Sequence, residues 1–220
     1  MLGVLGGTFD PVHFGHLRPA LEVRQALGLR EVRFVPLNVA VHRPQPEAAG
    51  EQRLAMVRAA IAVEPGFVAD GRELTRPGSS YSYDTLLSLR RELGESEPIC
   101  LLIGSDAFRD FLTWHRPDGI LGLAHLVVMR RPDGEILEEP ALRRWSEPRL
   151  CTRLEELASA PAGRIWFQRV TPLGISATAI RDLVAAGLSA RYLLPDAVLD
   201  IVERDGLYRD EGRRPAVRRP

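Results

Sequence analysis

The sequence predicts an open, parallel α/β sheet with helices on both faces. Short apolar runs of strand character alternate with longer stretches of helical periodicity, the pattern of strands joined by crossover helices. A length of 220 residues also favours one domain over two and is ample for a full hydrophobic core.

Leu2–Leu5 reads as a first buried strand closed by the Gly6-Gly7 turn. Leu17, Ala20, Leu21 and Leu27 then recur at helical spacing, with Arg18, Glu22 and Gln25 opposite. Val32–Val35 is a second strand, Glu51–Val63 a helix, Phe67–Ala69 a strand and Ser82–Leu93 a helix. Ile99–Ile103 is a strongly apolar strand ending at Gly104, and Leu126–Met129 and Ile165–Val170 are two more. Two helices follow, Ser176–Ala186 and Pro195–Arg204. Asn38–Gly50 has too many prolines for a helix, and Pro132–Pro148 reads as a polar connector. The domain is expected over residues 1–211, with an arginine- and proline-rich, disordered tail over 212–220.

Composition narrows the chemistry. Apolar residues make up 45% and charged residues 26%, ordinary values for a globular protein. Twenty-nine acidic residues balance twenty-nine basic ones, so nothing pulls the chain towards nucleic acid or an acidic membrane. Every basic residue is arginine. Without lysine there is neither a Walker-type phosphate loop nor a Schiff-base mechanism. Cys100 and Cys151 are too far apart in sequence for a CxxC pair and too few for a zinc quartet, and Cys100 sits in an apolar run as an inert, buried thiol. No run of 18 apolar residues occurs, and Asp10 interrupts the short apolar start. A soluble, cytoplasmic protein is expected.

Two segments carry chemistry. Gly6-Gly7-Thr8-Phe9-Asp10-Pro11-Val12-His13-Phe14-Gly15-His16 directly follows a strand and precedes an amphipathic helix. In an open α/β sheet that junction is where ligands bind. The glycines admit close backbone approach, and the helix start offers unpaired N–H groups to an anion. His13 and His16 share one face of the first turn, a compact site for phosphoryl oxygens. The spacing is not that of a dinucleotide fingerprint, and no Cys, Asp or Glu stands at helical spacing to complete a zinc site. Pro19 is expected to fit if the helix begins near Phe14, its missing N–H then falling among the unpaired first-turn donors.

Gly174-Ile175-Ser176-Ala177-Thr178-Ala179-Ile180-Arg181 also joins a strand to a helix. Ser176 is a natural N-cap, Thr178 adds a first-turn hydroxyl, and Arg181 presents its fork one turn beyond Thr178. A capped helix with a surface arginine explains this segment alone equally well. Two anion sites in one chain point to a triphosphate.

Gly-Thr-Phe-Asp-Pro-Val-His-Phe-Gly-His resembles the G-x-F-x-P-x-H-x-G-H motif of the nucleotidyltransferase superfamily, and Ile175–Arg181 its I-S-S-T-x-I-R motif. His42-Arg43-Pro44-Gln45, Tyr81–Leu86, Ile103–Asp106, Leu112–Arg116 and Arg130-Arg131-Pro132 resemble bacterial nicotinate-nucleotide adenylyltransferases, so the likeness runs from Gly3 to about Tyr208. That resemblance implies a Rossmann-like sheet of nucleotidyltransferase type and adenylyl transfer from ATP to nicotinate mononucleotide. ATP would lie against Gly7, Thr8, Phe9, His13, His16, Ser176, Thr178 and Arg181, with His13, His16 and Arg181 acting on its phosphates. Nicotinate mononucleotide would meet His42, Arg43, Thr85, Gly104, Asp106, Trp114 and Arg131, with Trp114 stacked on the ring and the Thr85 N–H near the carboxylate. Magnesium would ride mainly on ATP oxygens and water, with no protein ligand. Ala177 stands where the family pattern has serine, and Val41 where it has proline. The phosphate motifs alone leave open another acceptor, such as nicotinamide mononucleotide or phosphopantetheine, or a silent pyridine-nucleotide sensor. A homo-oligomer is also left open.

Overall fold

The structure, a computed structural model, describes residues 1–40, 44–130 and 139–209. His42, Arg43, Arg131, Val41 and the 212–220 tail lie outside the described residues. In chain order the elements are β1 (Leu2–Gly7), α1 (Phe14–Leu27), β2 (Glu31–Pro36), α2 (Gly50–Ile61), β3 (Phe67–Ala69) and α3 (Ser82–Leu93). Then come β4 (Ile99–Gly104), α4 (Ser105–Arg109), α5 (Pro117–Leu123), β5 (His125–Arg130), α6 (Pro140–Ser146) and α7 (Leu154–Ala158). The described chain closes with β6 (Ile165–Arg169), α8 (Ala177–Ala185) and α9 (Asp196–Arg204).

The six strands are all parallel, in the order β3-β2-β1-β4-β5-β6. This is the open parallel sheet that the alternation of apolar runs and helical stretches predicts. Successive residues point to opposite faces, and both faces are covered. In β4, Ile99, Leu101 and Ile103 pack with Leu86 and Leu89 of α3 and Ile120 and Leu121 of α5. Their neighbours Cys100 and Leu102 pack with Val23 of α1, Val57 of α2 and Val198 and Val202 of α9. Strands buried on both sides cannot alternate apolar with polar, so they read as unbroken apolar runs. Burial pushes the Cys100 thiol up to about 12, which makes it inert at neutral pH. Among the described residues no helix is long and apolar enough to cross a membrane.

Local rules set the ends of the elements. Gly28 closes α1 in the left-handed region at φ 60°, its N–H donating to the Arg24 carbonyl, as a helix-terminating glycine does. Pro140 occupies the start of α6, where a missing N–H costs nothing. The segment expected to be a connector, 132–148, therefore carries a helix: its proline begins the element instead of breaking it. Pro19 also departs from expectation. It is the sixth residue of α1, past the unpaired donors, so the Gly15 carbonyl lacks its usual donor four residues on.

The order of strands places the site. The chain builds outward from β1 through β2 to β3, then returns to lay β4 on the other side of β1. The loops leaving β1 and β4 diverge at that point and open a crevice beyond Gly7 and Gly104, the carboxyl ends of the two central strands.

Candidate active site

The loop after β1 is folded around Phe9, which is 1% exposed and adopts φ 50°. A Cβ on Gly7 would lie 3.0 Å from its ring, so the glycine makes room for it. The Phe9 ring meets His16 edge-on with centroids 5.2 Å apart. His13 caps α1 from an extended backbone, and its imidazole stacks on that of His16 at 3.8 Å between centroids.

The two imidazoles differ. The His13 N–H donates to Nδ1 of His16 at 3.3 Å, which leaves the proton of a neutral His16 ring on Nε2. His13 is 4% exposed, and burial lowers its pKa to about 4, so it is neutral at physiological pH. The His13 Nδ1 is buried and has no hydrogen-bond partner among the described residues. This pair therefore meets an anion with dipoles and N–H groups, not with two full positive charges.

The second motif closes on the first. A Cβ on Gly15 would lie 2.9 Å from the His13 ring and 3.1 Å from the Ile175 carbonyl, so only glycine lets the segments abut. Ser176 caps α8, its Oγ accepting the Ala179 N–H at 3.2 Å, and Thr178 stands exposed in the first turn. Arg181 reaches back across the junction: its Nη1 donates to the Asp10 carbonyl at 2.8 Å and its Nε to Glu47 at 2.6 Å.

Asp10 anchors this arrangement, although only its place in the motif marks it out in the sequence. Its carboxylate is buried and accepts the Glu47 N–H at 2.8 Å, the Ala48 N–H at 3.1 Å and the Tyr208 hydroxyl at 2.6 Å. Burial and the Asp10 carboxylate push the Tyr208 phenol far up, so it stays a donor. Arg53, also buried, donates to the carbonyls of Thr8 at 2.8 Å and Ala48 at 3.0 Å. A buried charge costs least where hydrogen bonds satisfy it, and Asp10 accepts three while Arg53 donates two. They hold residues 8–13 and 47–48 as one unit.

Beyond β4 lies a cavity of about 370 Å³, lined among others by Tyr81, Ser82, Asp106, Thr113, Trp114 and His115. Trp114 is half-buried and packs on Phe111 with centroids 5.3 Å apart. The Tyr81 and His115 rings lie 4.4 Å apart. Gly104 caps α4, and Asp106 in its first turn pairs with Arg109 at 2.7 Å. Thr85 does not line the cavity. Its N–H donates to the Tyr81 carbonyl at 3.2 Å, and its buried hydroxyl donates to Glu73 and accepts from Arg76. Burial raises the Glu73 carboxyl above the usual range. Ser82, one residue into α3, lines the cavity instead, with an N–H that has no intrahelical acceptor. Tyr81, Ser82 and His115 were within reach of sequence reasoning, because they flank residues already singled out. Tyr208 was not, since nothing local marks a side chain whose partner is far away in sequence.

A six-stranded parallel sheet with an imidazole pair and a capped, arginine-bearing helix at one crevice defines a nucleotidyltransferase. The cytidylyltransferase-like family matches residues 4–183. The chain is 50% identical to a probable nicotinate-nucleotide adenylyltransferase of Methylococcus capsulatus, over 94% of this chain and 99% of that protein. It is 45% identical to one of Aeromonas salmonicida, over 94% and 96%. The chain belongs to the nicotinate-nucleotide adenylyltransferase family. Its fold matches a Plasmodium falciparum nicotinic acid mononucleotide adenylyltransferase complexed with NaAD, with TM-score 0.71 at 15% identity, covering 94% of this chain and 96% of that one.

Proposed function

We propose that this chain transfers the adenylyl group of ATP to nicotinate mononucleotide, releasing pyrophosphate and forming nicotinate adenine dinucleotide. The observation that carries the reading is the junction of the two motifs, Gly15 against Ile175 and Arg181 on Asp10, beside an aromatic-lined cavity. Membership of the family supports it.

The acceptor phosphate is already a nucleophile, so the reaction needs no general base. One of its oxygens bonds to the α-phosphorus while the bond from that phosphorus to the α,β-bridging oxygen breaks, and pyrophosphate leaves opposite. What remains for the protein is to position two anions and to stabilise oxygens that gain charge. His16 supplies its Nε2–H at the α-phosphate, with the ring held by Phe9 and the His13 N–H. His13, neutral and buried, offers a second imidazole without the cost of a buried charge. Ser176, Thr178 and Arg181 hold the β- and γ-phosphates at the start of α8.

Trp114 stacks on the pyridine ring in the cavity. The N–H near the carboxylate is that of Ser82, in place of the one expected from Thr85, which is already bonded to Tyr81. Magnesium fits as a passenger on the triphosphate. The junction presents imidazole, hydroxyl and guanidinium groups, while the Asp10 carboxylate already accepts three hydrogen bonds and the Glu47 carboxylate is paired with Arg181. When bound, the ion lowers the negative charge that the two substrates present to each other.

The test is pyrophosphate release with ATP and magnesium, comparing nicotinate mononucleotide, nicotinamide mononucleotide and phosphopantetheine. Preference for the nicotinate acceptor is expected. Preference for another acceptor keeps the phosphate chemistry and discards the reading of Trp114 and Ser82; release with none discards the reaction.

A further inference from the structure

The guanidinium that the proposed reaction assigns to the leaving phosphates is already paired. Arg181 makes two contacts of different kinds. Its Nη1 bond runs to the carbonyl of Asp10, whose own side chain is buried under three donors, so that contact fixes where the guanidinium sits. Its Nε bond runs to Glu47, whose side chain is 57% exposed against 23% for Arg181. The backbone of Glu47 is pinned, since its N–H donates to the Asp10 carboxylate, but its carboxylate can turn into water. A carboxylate oxygen at 2.6 Å from Nε offers the same chemistry as a phosphate oxygen: an acceptor bearing negative charge on a planar fork.

We propose that Glu47 is a positioning residue that competes with the polyphosphate for Arg181. It occupies the Nε of Arg181 while no anion is bound, yields it to the β- and γ-phosphates, and reclaims it as pyrophosphate leaves. This rests on the adenylyl-transfer reading for its place in the cycle. The contact itself requires only that Arg181 meet a polyphosphate. Residues 47 and 48 share the Asp10 carboxylate with Tyr208, so Glu47 moves with the phosphate loop, and its side chain is always within reach.

The substitution that isolates the charge is Glu47→Gln, which keeps shape and an acceptor oxygen. Binding of inorganic pyrophosphate, followed by calorimetry, should tighten about three- to fivefold, the scale of one solvent-exposed ion pair. KM for ATP should fall by a similar factor, with KM for nicotinate mononucleotide unchanged and kcat not raised. A structural role would move thermal stability or both KM values instead. The same substitution placed in an Arg181→Gln background should leave pyrophosphate binding unaltered. Weaker or unchanged binding in the single variant overturns the proposal. So does equal tightening in both backgrounds, which would mean that Glu47 acts on the anion directly. If the native chain releases no pyrophosphate with any acceptor, the reaction falls, and the pyrophosphate titration still judges the pairing.

Discussion

Two carboxylates stand at the two halves of the crevice in opposite circumstances. Asp10, below the phosphate side, is 2% exposed and accepts three hydrogen bonds from elements far apart in the chain. Asp106, on the pyridine side, is 81% exposed and paired with Arg109 one turn away. Around Asp10 the loops are tied by buried, hydrogen-bonded polar groups, whereas around Asp106 the walls include aromatic rings that face an open cavity. If the proposed reaction holds, the half around Asp10 is built in advance for phosphates, a group whose geometry never varies, and the half around Asp106 leaves part of its packing to be completed by the pyridine nucleotide. Pre-organisation is worth most where charge develops during the reaction, and apolar contact serves where a ring need only be held.

That contrast gives graded expectations. His16→Ala should lower kcat about 10²-fold or more while leaving the melting temperature nearly unchanged, the scale of one lost transition-state donor. A near-normal rate would show that the stacked imidazoles do not act on the α-phosphate. The second concerns stability against pH. His13 is neutral when folded, with a pKa lowered to about 4, and takes a proton when unfolded below about 6.5. Its contribution is therefore complete above pH 6.5 and is lost progressively as pH falls towards 4. Between pH 7 and pH 5 the native chain should lose about 2 kcal/mol more than His13→Asn in urea unfolding, and equal losses would mean that the imidazole is not held neutral. The smallest effect belongs to the open half. Trp114→Ala should raise KM for nicotinate mononucleotide by about tenfold at most, the range of one aromatic contact, and leave KM for ATP unchanged. A comparable rise for ATP would dissolve the distinction between the halves.

The same contrast decides what could be read from the sequence. The half assigned to the phosphates rests on two local segments, each joining a strand to a helix, and spacing alone places His13 with His16 and Thr178 with Arg181. The central strands were legible because burial on both faces leaves continuous apolar runs, as in Ile99–Ile103. Helices α4, α5, α6 and α7 went unseen, since five to seven residues span too little periodicity to register. The cavity was legible only in part. Trp114 is there, but Thr85 lies behind the wall, because the first turn of α3 turns Ser82 towards the cavity and Thr85 towards Glu73. The Asp10 cluster lay beyond sequence reasoning: Tyr208 and Glu47, which reach its carboxylate, and Arg53, which ties Thr8 to Ala48, are ordinary residues until the fold gathers them.

The bond between Tyr208 and Asp10 joins positions 198 residues apart. While a chain is still growing on the ribosome, β1 and its loop can emerge and α1 can form, yet the carboxylate at position 10 waits for its third donor until residue 208 has been made. Contacts of such sequence separation are the last to repay the entropy of closing the chain. The loop after β1 is thus made long before its last donor, and a nascent chain halted before Tyr208 carries both motifs without the full set of donors to Asp10.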